Sequence, residues 1–203
     1  MKSGNFTNYV NDPNNKYSLA SDGVSDIKED KDGNLWIVTD GSGFCRFDKK
    51  SNRFIRYQND PNNNTSLPID QVSVLLEDKF GDLLIGTFGA GLLKYDRKKN
   101  SFTKINYNPD EPDDITATGI YCLAEDLNGT LWIGTYSNGL FIYDRVSGKS
   151  KWYYNIPGNA ESISDNIISS ILMSKDGSIW IGTSNGINKF DPTSEKFKRF
   201  TES

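Results

Sequence analysis

The chain has 203 residues, a formal net charge of −4, no histidine, two cysteines and 12% aromatic residues. This acidic balance argues against nucleic acid or an anionic membrane surface as a main partner. No stretch approaches the roughly 20 apolar residues of a membrane helix, so no direct membrane contact is expected. Without histidine the chain lacks the commonest general base near neutral pH and the commonest transition-metal ligand. Neither a metal nor a cofactor is therefore expected.

Residues 1–8 lack the apolar core of a signal peptide. Phe6 and Tyr9 then precede a polar connector, Asn11-Asp12-Pro13-Asn14-Asn15. They match Phe54 and Tyr57 further on, so an orphan strand is expected over about 6–9. The stretch Asp32-Gly33-Asn34-Leu35-Trp36-Ile37-Val38-Thr39 follows, and it recurs three times, with the anchoring glycines at 33, 81, 129 and 177. A fixed 48-residue period of this kind marks a repeat architecture.

Each repeat reads as four short strands. Strand A is apolar and β-branched (Val24-Ser25-Asp26-Ile27 and its copies) and in three repeats runs into an acidic pair: Glu29-Asp30, Glu77-Asp78 and Glu125-Asp126. The fourth repeat has Met173-Ser174 there. These pairs invite comparison with the two carboxylates of a glycosidase. Their constant register assigns each instead to its own A–B turn. Strand B is Leu-Trp-Ile-Gly-Thr or a close variant, apolar on both faces as befits a strand between two sheets. Trp36, Trp132 and Trp180 read as packing between sheets. Strand C ends on Asp48, Asp96, Asp144 and Asp191, where an aspartate can bond its own turn. Strand D alternates aromatic and basic residues, as in Phe54-Ile55-Arg56-Tyr57, which suits an outer edge.

Polar connectors follow strand D at Asn59–Leu67, Asn108–Pro112 and Ile156–Asn159, and they lack the alternating aspartates of a calcium loop. Cys45 and Cys122 sit at different positions in different repeats, as small buried hydrophobes would. The fold class is thus all-β: four four-stranded antiparallel blades, about 24–57, 72–105, 120–154 and 168–200, in one partial β-propeller over residues 1–203.

The stretches EDKDGNLWIVT…GFCRFD, EDKFGDLLIGTFGAGLLKYD, EDLNGTLWIGTYSNGLFIYD and SKDGSIWIGTSNGINKFD resemble the two-component regulator propeller repeat. The resemblance implies the extracytoplasmic sensor region of a bacterial hybrid two-component system, as found in gut Bacteroidetes. It further implies a periplasmic location within a membrane-anchored parent protein, an oligosaccharide ligand and no catalysis. The repeats are also similar to those of streptogramin lyases, whose chemistry leans on histidine. A protein-interaction scaffold and a carbohydrate-active or lyase-type enzyme are the alternatives.

Ligand contacts are expected where the repeats differ, on the B–C loops held by a rigid scaffold. There Phe88 and Tyr136 can stack on a sugar ring, while Asp40, Ser42, Asn138 and Asn185 offer polar groups. The start of strand A also varies, as Asp22, Asp70, Thr118 and Asn166. Finally, the open faces of the first and last blades are expected to present Leu35, Ile37, Ile179 and Ile181 to water. A homo-oligomer through these terminal blades is the expected consequence.

Overall fold

A computed structural model describes residues 4–105, 115 and 118–200. The first blade holds β1 (Val24–Glu29), β2 (Leu35–Thr39), β3 (Phe44–Asp48) and β4 (Arg53–Tyr57). The second holds β5 (Val72–Glu77), β6 (Leu83–Thr87), β7 (Leu92–Asp96) and β8 (Ser101–Lys104), and the third β9 (Ile120–Glu125), β10 (Thr130–Thr135), β11 (Leu140–Asp144) and β12 (Ser150–Tyr153). The fourth holds β13 (Ile168–Met173), β14 (Ile179–Thr183), β15 (Gly186–Asp191) and β16 (Lys196–Phe200). Every blade is an antiparallel meander with its strands in chain order, and no α-helix occurs among the described residues. Four four-stranded sheets stacked through apolar faces make this a segment of a β-propeller.

Side chains of the repeat close each turn. The Asp30 carboxylate accepts backbone N–H groups from Asp32 (3.1 Å) and Asn34 (2.8 Å), and Asp78 and Asp126 do the same in their own turns. At the other end of strand B, buried Thr39, Thr87 and Thr135 donate their hydroxyls to the carbonyls of Gly43, Gly91 and Gly139. These two local devices fix the length and register of the A–B and B–C hairpins in the first three blades. The connectors at 11–22, 59–70 and 155–166 repeat a single scheme. Asn11, Asn59 and Asn155 donate N–H to the side chains of Asp22, Asp70 and Asn166 at 2.6–2.7 Å. The connector read at 108–112 lies outside the described residues.

Blades pack face to face. One junction joins Trp36, Val38 and Phe44 of the first blade to Val72, Leu75, Leu83, Ile85 and Leu93 of the second. The next joins Leu84 and Leu92 to Ile120, Leu131, Ile133 and Phe141, and the last joins Trp132 and Leu140 to Ile168, Ile179, Ile181 and Phe190. Gly134 is needed in this stacking, because a Cβ there would lie 2.7 Å from Ile168 Cγ2 of the following blade. Gly86 meets Ile120 in the same way, and the first blade instead pairs Val38 with Val72. Small faces large, so the sheets come close without a void.

A polar clamp accompanies the apolar contact. Asp30 Oδ2 accepts from Trp36 Nε1 (2.8 Å) and from Arg97 Nη1 of the next blade (2.9 Å). Arg97 Nη2 donates to Glu77 (2.9 Å), and Glu77 accepts the Lys31 N–H of the first blade (2.7 Å), closing the circuit. One blade on, Arg145 donates to Asp78 and Glu125 accepts the Lys79 N–H at 2.7 Å, while Arg145 and Glu125 stand 3.7 Å apart as an ion pair. The aspartates thus serve their own turns as expected, but the glutamates serve the turn of the preceding blade. Burial alone pushes the Asp30 carboxyl up. Hydrogen bonds from Trp36 and Asn34 and the Arg97 guanidinium outweigh it and hold the pKa at about 2, below the ordinary 3.8.

Three expectations need correction. Residues 4–10 form no strand, because no C strand lies beside them to supply hydrogen bonds. Tyr9 instead packs edge-on against Phe47 and Phe54, at 5.3 Å from each. Trp180 is not between blades: it lies on the outer face of the fourth blade against Phe200 (5.6 Å), with Lys189 over its ring. For the same reason Ile179 and Ile181 are buried against the third blade rather than exposed. On the first blade Leu35 is half-buried and Ile37 buried, under Leu19 and Phe54.

Two outcomes follow for stability. Trp132→Ala should cost about 3–5 kcal/mol in urea unfolding, the range for a large core aromatic, while Trp180→Ala should cost about 1 kcal/mol or less. Equal losses would contradict the assignment of faces. Asp30 has a depressed folded pKa, so its contribution is complete above the unfolded value of 3.8 and is lost as pH falls through about 2. Asp30→Asn should therefore be less stable than the parent at pH 7, with that gap narrowing by about 2 kcal/mol on approach to pH 2. A gap independent of pH would contradict the clamp.

Candidate functional site

The first strands of all four blades line a common axial cavity of about 590 Å³. Each of them carries a β-bulge near its start: the register shifts between Val24 and Asp26, Val72 and Val74, Ile120 and Cys122, and Ile168 and Ser170. The bulged residues are Ser25, Ser73, Tyr121 and Ser169, and all four line the cavity. A bulge re-aims the side chain it carries, so one repeat position is turned toward the axis in every blade. Three of the four copies are serine and the third is tyrosine.

The B–C loops are tied to the same end of the cavity. Backbone N–H groups of Asp40, Phe88, Tyr136 and Ser184 donate to the carbonyls of Gly23, Gln71, Gly119 and Ile167, just before strand A. This bond brings the first residue of each loop beside the bulge. Phe88, Tyr121 and Tyr136 consequently form one cluster. Phe88 stands edge-on to Tyr121 (5.9 Å) and to Tyr136 (6.1 Å), and the two tyrosines are parallel at 6.1 Å. Their fractional exposures of 39%, 41% and 55% leave ring faces open to solvent. Around them the cavity wall supplies Asp40, Gln71 and the Asp26–Lys28 ion pair (3.4 Å), together with the bulge serines.

Of the six residues singled out from sequence, Asp40 and Phe88 line the cavity, and Tyr136 joins through its ring contacts. The other three do not line it. Ser42 sits in its own tight loop, with its N–H directed to the Thr39 carbonyl (3.4 Å). Asn138 receives the Ser137 hydroxyl, and its N–H goes to Thr135 Oγ1. Asn185 donates to the Ser164 carbonyl at 3.4 Å. At the start of strand A, Asp22, Asp70 and Asn166 are committed to the connectors described above. Tyr121 was missed because a strand-A position reads as sheet; its signal was a lone aromatic at a register position otherwise held by serine.

Cys122 lies on the cavity wall but beneath its neighbours: burial pushes its thiol up to about 12, against a weak backbone hydrogen bond from Gly134. Burial likewise raises Cys45. Thiolate is the reactive form. Both thiols should therefore resist a disulfide reagent at pH 8 until the chain is unfolded. Rapid labelling of either one in the native protein would contradict their burial.

The family model described as "Two component regulator propeller" matches residues 18–41, 114–137 and 162–185. The second repeat, with Leu84 where the others carry tryptophan, is outside those segments. Among solved structures, the extracellular domain of the hybrid two component system BT3049 from B. thetaiotaomicron is similar at 25% identity and a TM-score of 0.73. That match covers 89% of this chain and 25% of the other. The extracellular domain of the hybrid two component system BT4673, from the same organism, is similar at 23% identity and a TM-score of 0.70, over 88% of this chain and 25% of that one. Virginiamycin B lyase from Staphylococcus aureus shares the fold at 18% identity and a TM-score of 0.62, over 89% and 56% of the two chains. Among curated proteins none matches in sequence. The chain spans about a quarter of the length of the two sensor domains. It is a β-propeller segment, three of whose four repeats match the two-component regulator propeller model.

Proposed function

We propose that this chain is a non-catalytic ligand-recognising portion of the extracytoplasmic region of a two-component sensor, and that its ligand is an oligosaccharide. The observation that carries the reading is the cluster of Phe88, Tyr121 and Tyr136 at the mouth of the axial cavity. Open aromatic faces suit the apolar faces of sugar rings, and the flanking carboxylates, amide and hydroxyls suit their hydroxyl groups. The similarity to extracellular domains of hybrid two component systems supports an extracytoplasmic location, which we take to be the periplasm.

The repeated acidic residues favour binding over catalysis. Glu77 and Glu125 each hold a backbone N–H of the neighbouring blade, and Asp30 and Asp78 are spent on turns and arginines. A pair of carboxylates facing each other across a glycosidic bond would need groups free of such duties.

Calorimetric titration against a panel of plant and host oligosaccharides tests the reading. A binder should lose at least about tenfold in affinity on Tyr121→Ala or Phe88→Ala, the scale of losing one aromatic anchor. Ser42→Ala, away from the cavity, should leave it unchanged. Binding indifferent to both aromatic variants, or release of reducing ends by the chain, would overturn the proposal.

A further inference from the structure

The charge around the aromatic cluster narrows the class of ligand that fits there. The mouth of the axial cavity is bordered by the residues just before each first strand (20–23, 68–71, 118–119 and 164–167) and by the B–C loops (40–43, 88–91, 136–139 and 184–185). These segments hold none of the chain's 23 lysines and arginines, but they hold Asp22, Asp40, Asp70 and Asp165. Three of these carboxylates accept backbone N–H groups, from Asn11, Asn59 and Ile167, and such bonds leave the negative charge in place. A mouth lined by one sign of charge concentrates ligands of the opposite sign.

On the cavity wall the charges balance except at one residue. Lys28 stands 3.4 Å from Asp26, and Asp26 also accepts the Leu75 N–H at 3.4 Å. Asp40 is exposed, and its carboxylate has no hydrogen bond or ion pair among the described residues. Its loop is tied to the second blade by the Gly43 N–H, which donates to the Asp70 carbonyl at 2.9 Å. The next residue, Gln71, accepts the Phe88 N–H at 2.8 Å. Asp40 is thereby set on the same wall as the rings of Phe88, Tyr121 and Tyr136. The face of an aromatic ring is the negative end of its quadrupole and attracts cations. A free carboxylate and open ring faces therefore favour positive charge together, and both oppose a ligand carboxylate or sulfate.

We propose that the oligosaccharide bound here carries a protonated amine, as an amino sugar with a free amino group does, and that glycans bearing uronate or sulfate groups are rejected. This rests on the reading of the cavity as an oligosaccharide site. The ammonium is held by Asp40 beside the aromatic cluster, while the apolar sugar faces lie on the rings. A charge-assisted hydrogen bond is roughly twice as strong as a neutral one. Acetylation of the amine removes that bond and leaves the sugar ring to stack, so the amine decides between otherwise similar ligands.

Calorimetric titration of the chain with three tetrasaccharides, of glucosamine, of N-acetylglucosamine and of galacturonic acid, tests this at about pH 6, where the sugar amine is protonated. The glucosamine tetramer should bind at least about tenfold more tightly than the N-acetyl tetramer, and the galacturonate least of all. Asp40→Asn should remove the preference for the amine and leave the N-acetyl tetramer unchanged. Asp32→Asn, in an A–B turn at the other end of the blade, should leave the preference intact, which separates a local contact from the chain's overall charge. Tyr121→Ala should weaken both tetramers. Galacturonate bound as tightly as glucosamine, or a preference that survives Asp40→Asn, would overturn this proposal while sparing the oligosaccharide reading. No binding by any of the three, together with none across the wider panel, would overturn both.

Discussion

The structure depends on a buried carboxylate shared between neighbouring blades at the first two of its three junctions. Asp30 closes the turn between the first two strands of its blade with one oxygen and receives the arginine of the next blade with the other. A carboxylate with no side-chain exposure is tolerable only when it is paired and fully hydrogen-bonded. The local hairpin and the stacking of blades therefore form together, because neither alone satisfies the charge. At the junction of the third and fourth blades the clamp is missing. Met173 replaces the glutamate and packs into the apolar contact, and Trp132 Nε1 has no hydrogen-bond partner. There an exposed ion pair, Lys151 with Glu195, spans the blades instead, and such pairs contribute little.

This stacking is what makes a site out of separate repeats. Each blade contributes one bulged residue to the axis and the first three add a loop residue, and none of these can choose its neighbours within its own blade. Tyr121 and Tyr136 belong to the third blade, Phe88 and Gln71 to the second, and Asp40 to the first. They meet because the clamps and the glycine-for-isoleucine exchanges hold successive sheets in one register. The residues that differ between repeats are thereby free to specify a ligand, while the ones that recur hold the frame.

Much of the frame was legible in the sequence because its causes are local and recur. The glycine and aspartate of each turn, the threonine ending strand B and the aspartate ending strand C each announce a hairpin. Direction was less legible. Alternation along strand B says that Trp180 and Ile181 point to opposite faces, but not which face meets the third blade, so both were misplaced. The orphan strand around Phe6 to Tyr9 failed for a related reason: strand-like residues form a strand only beside a partner, and none lies beside them among the described residues. At the candidate site the loop positions of Asp40, Phe88 and Tyr136 could be read from their variability. Tyr121 could not, since a bulge is a property of pairing and is invisible in a single segment.

The claim that a shared carboxylate couples adjacent blades is tested most directly by a double-mutant cycle on Asp78 and Arg145, which meet across the second junction with side chains 0% and 20% exposed. Unfolding of the parent, Asp78→Asn, Arg145→Met and the double variant would be measured under one condition. Coupling of about 2 kcal/mol or more is predicted, since each single change strands a desolvated partner. Losses that add to within about 0.5 kcal/mol would contradict the account.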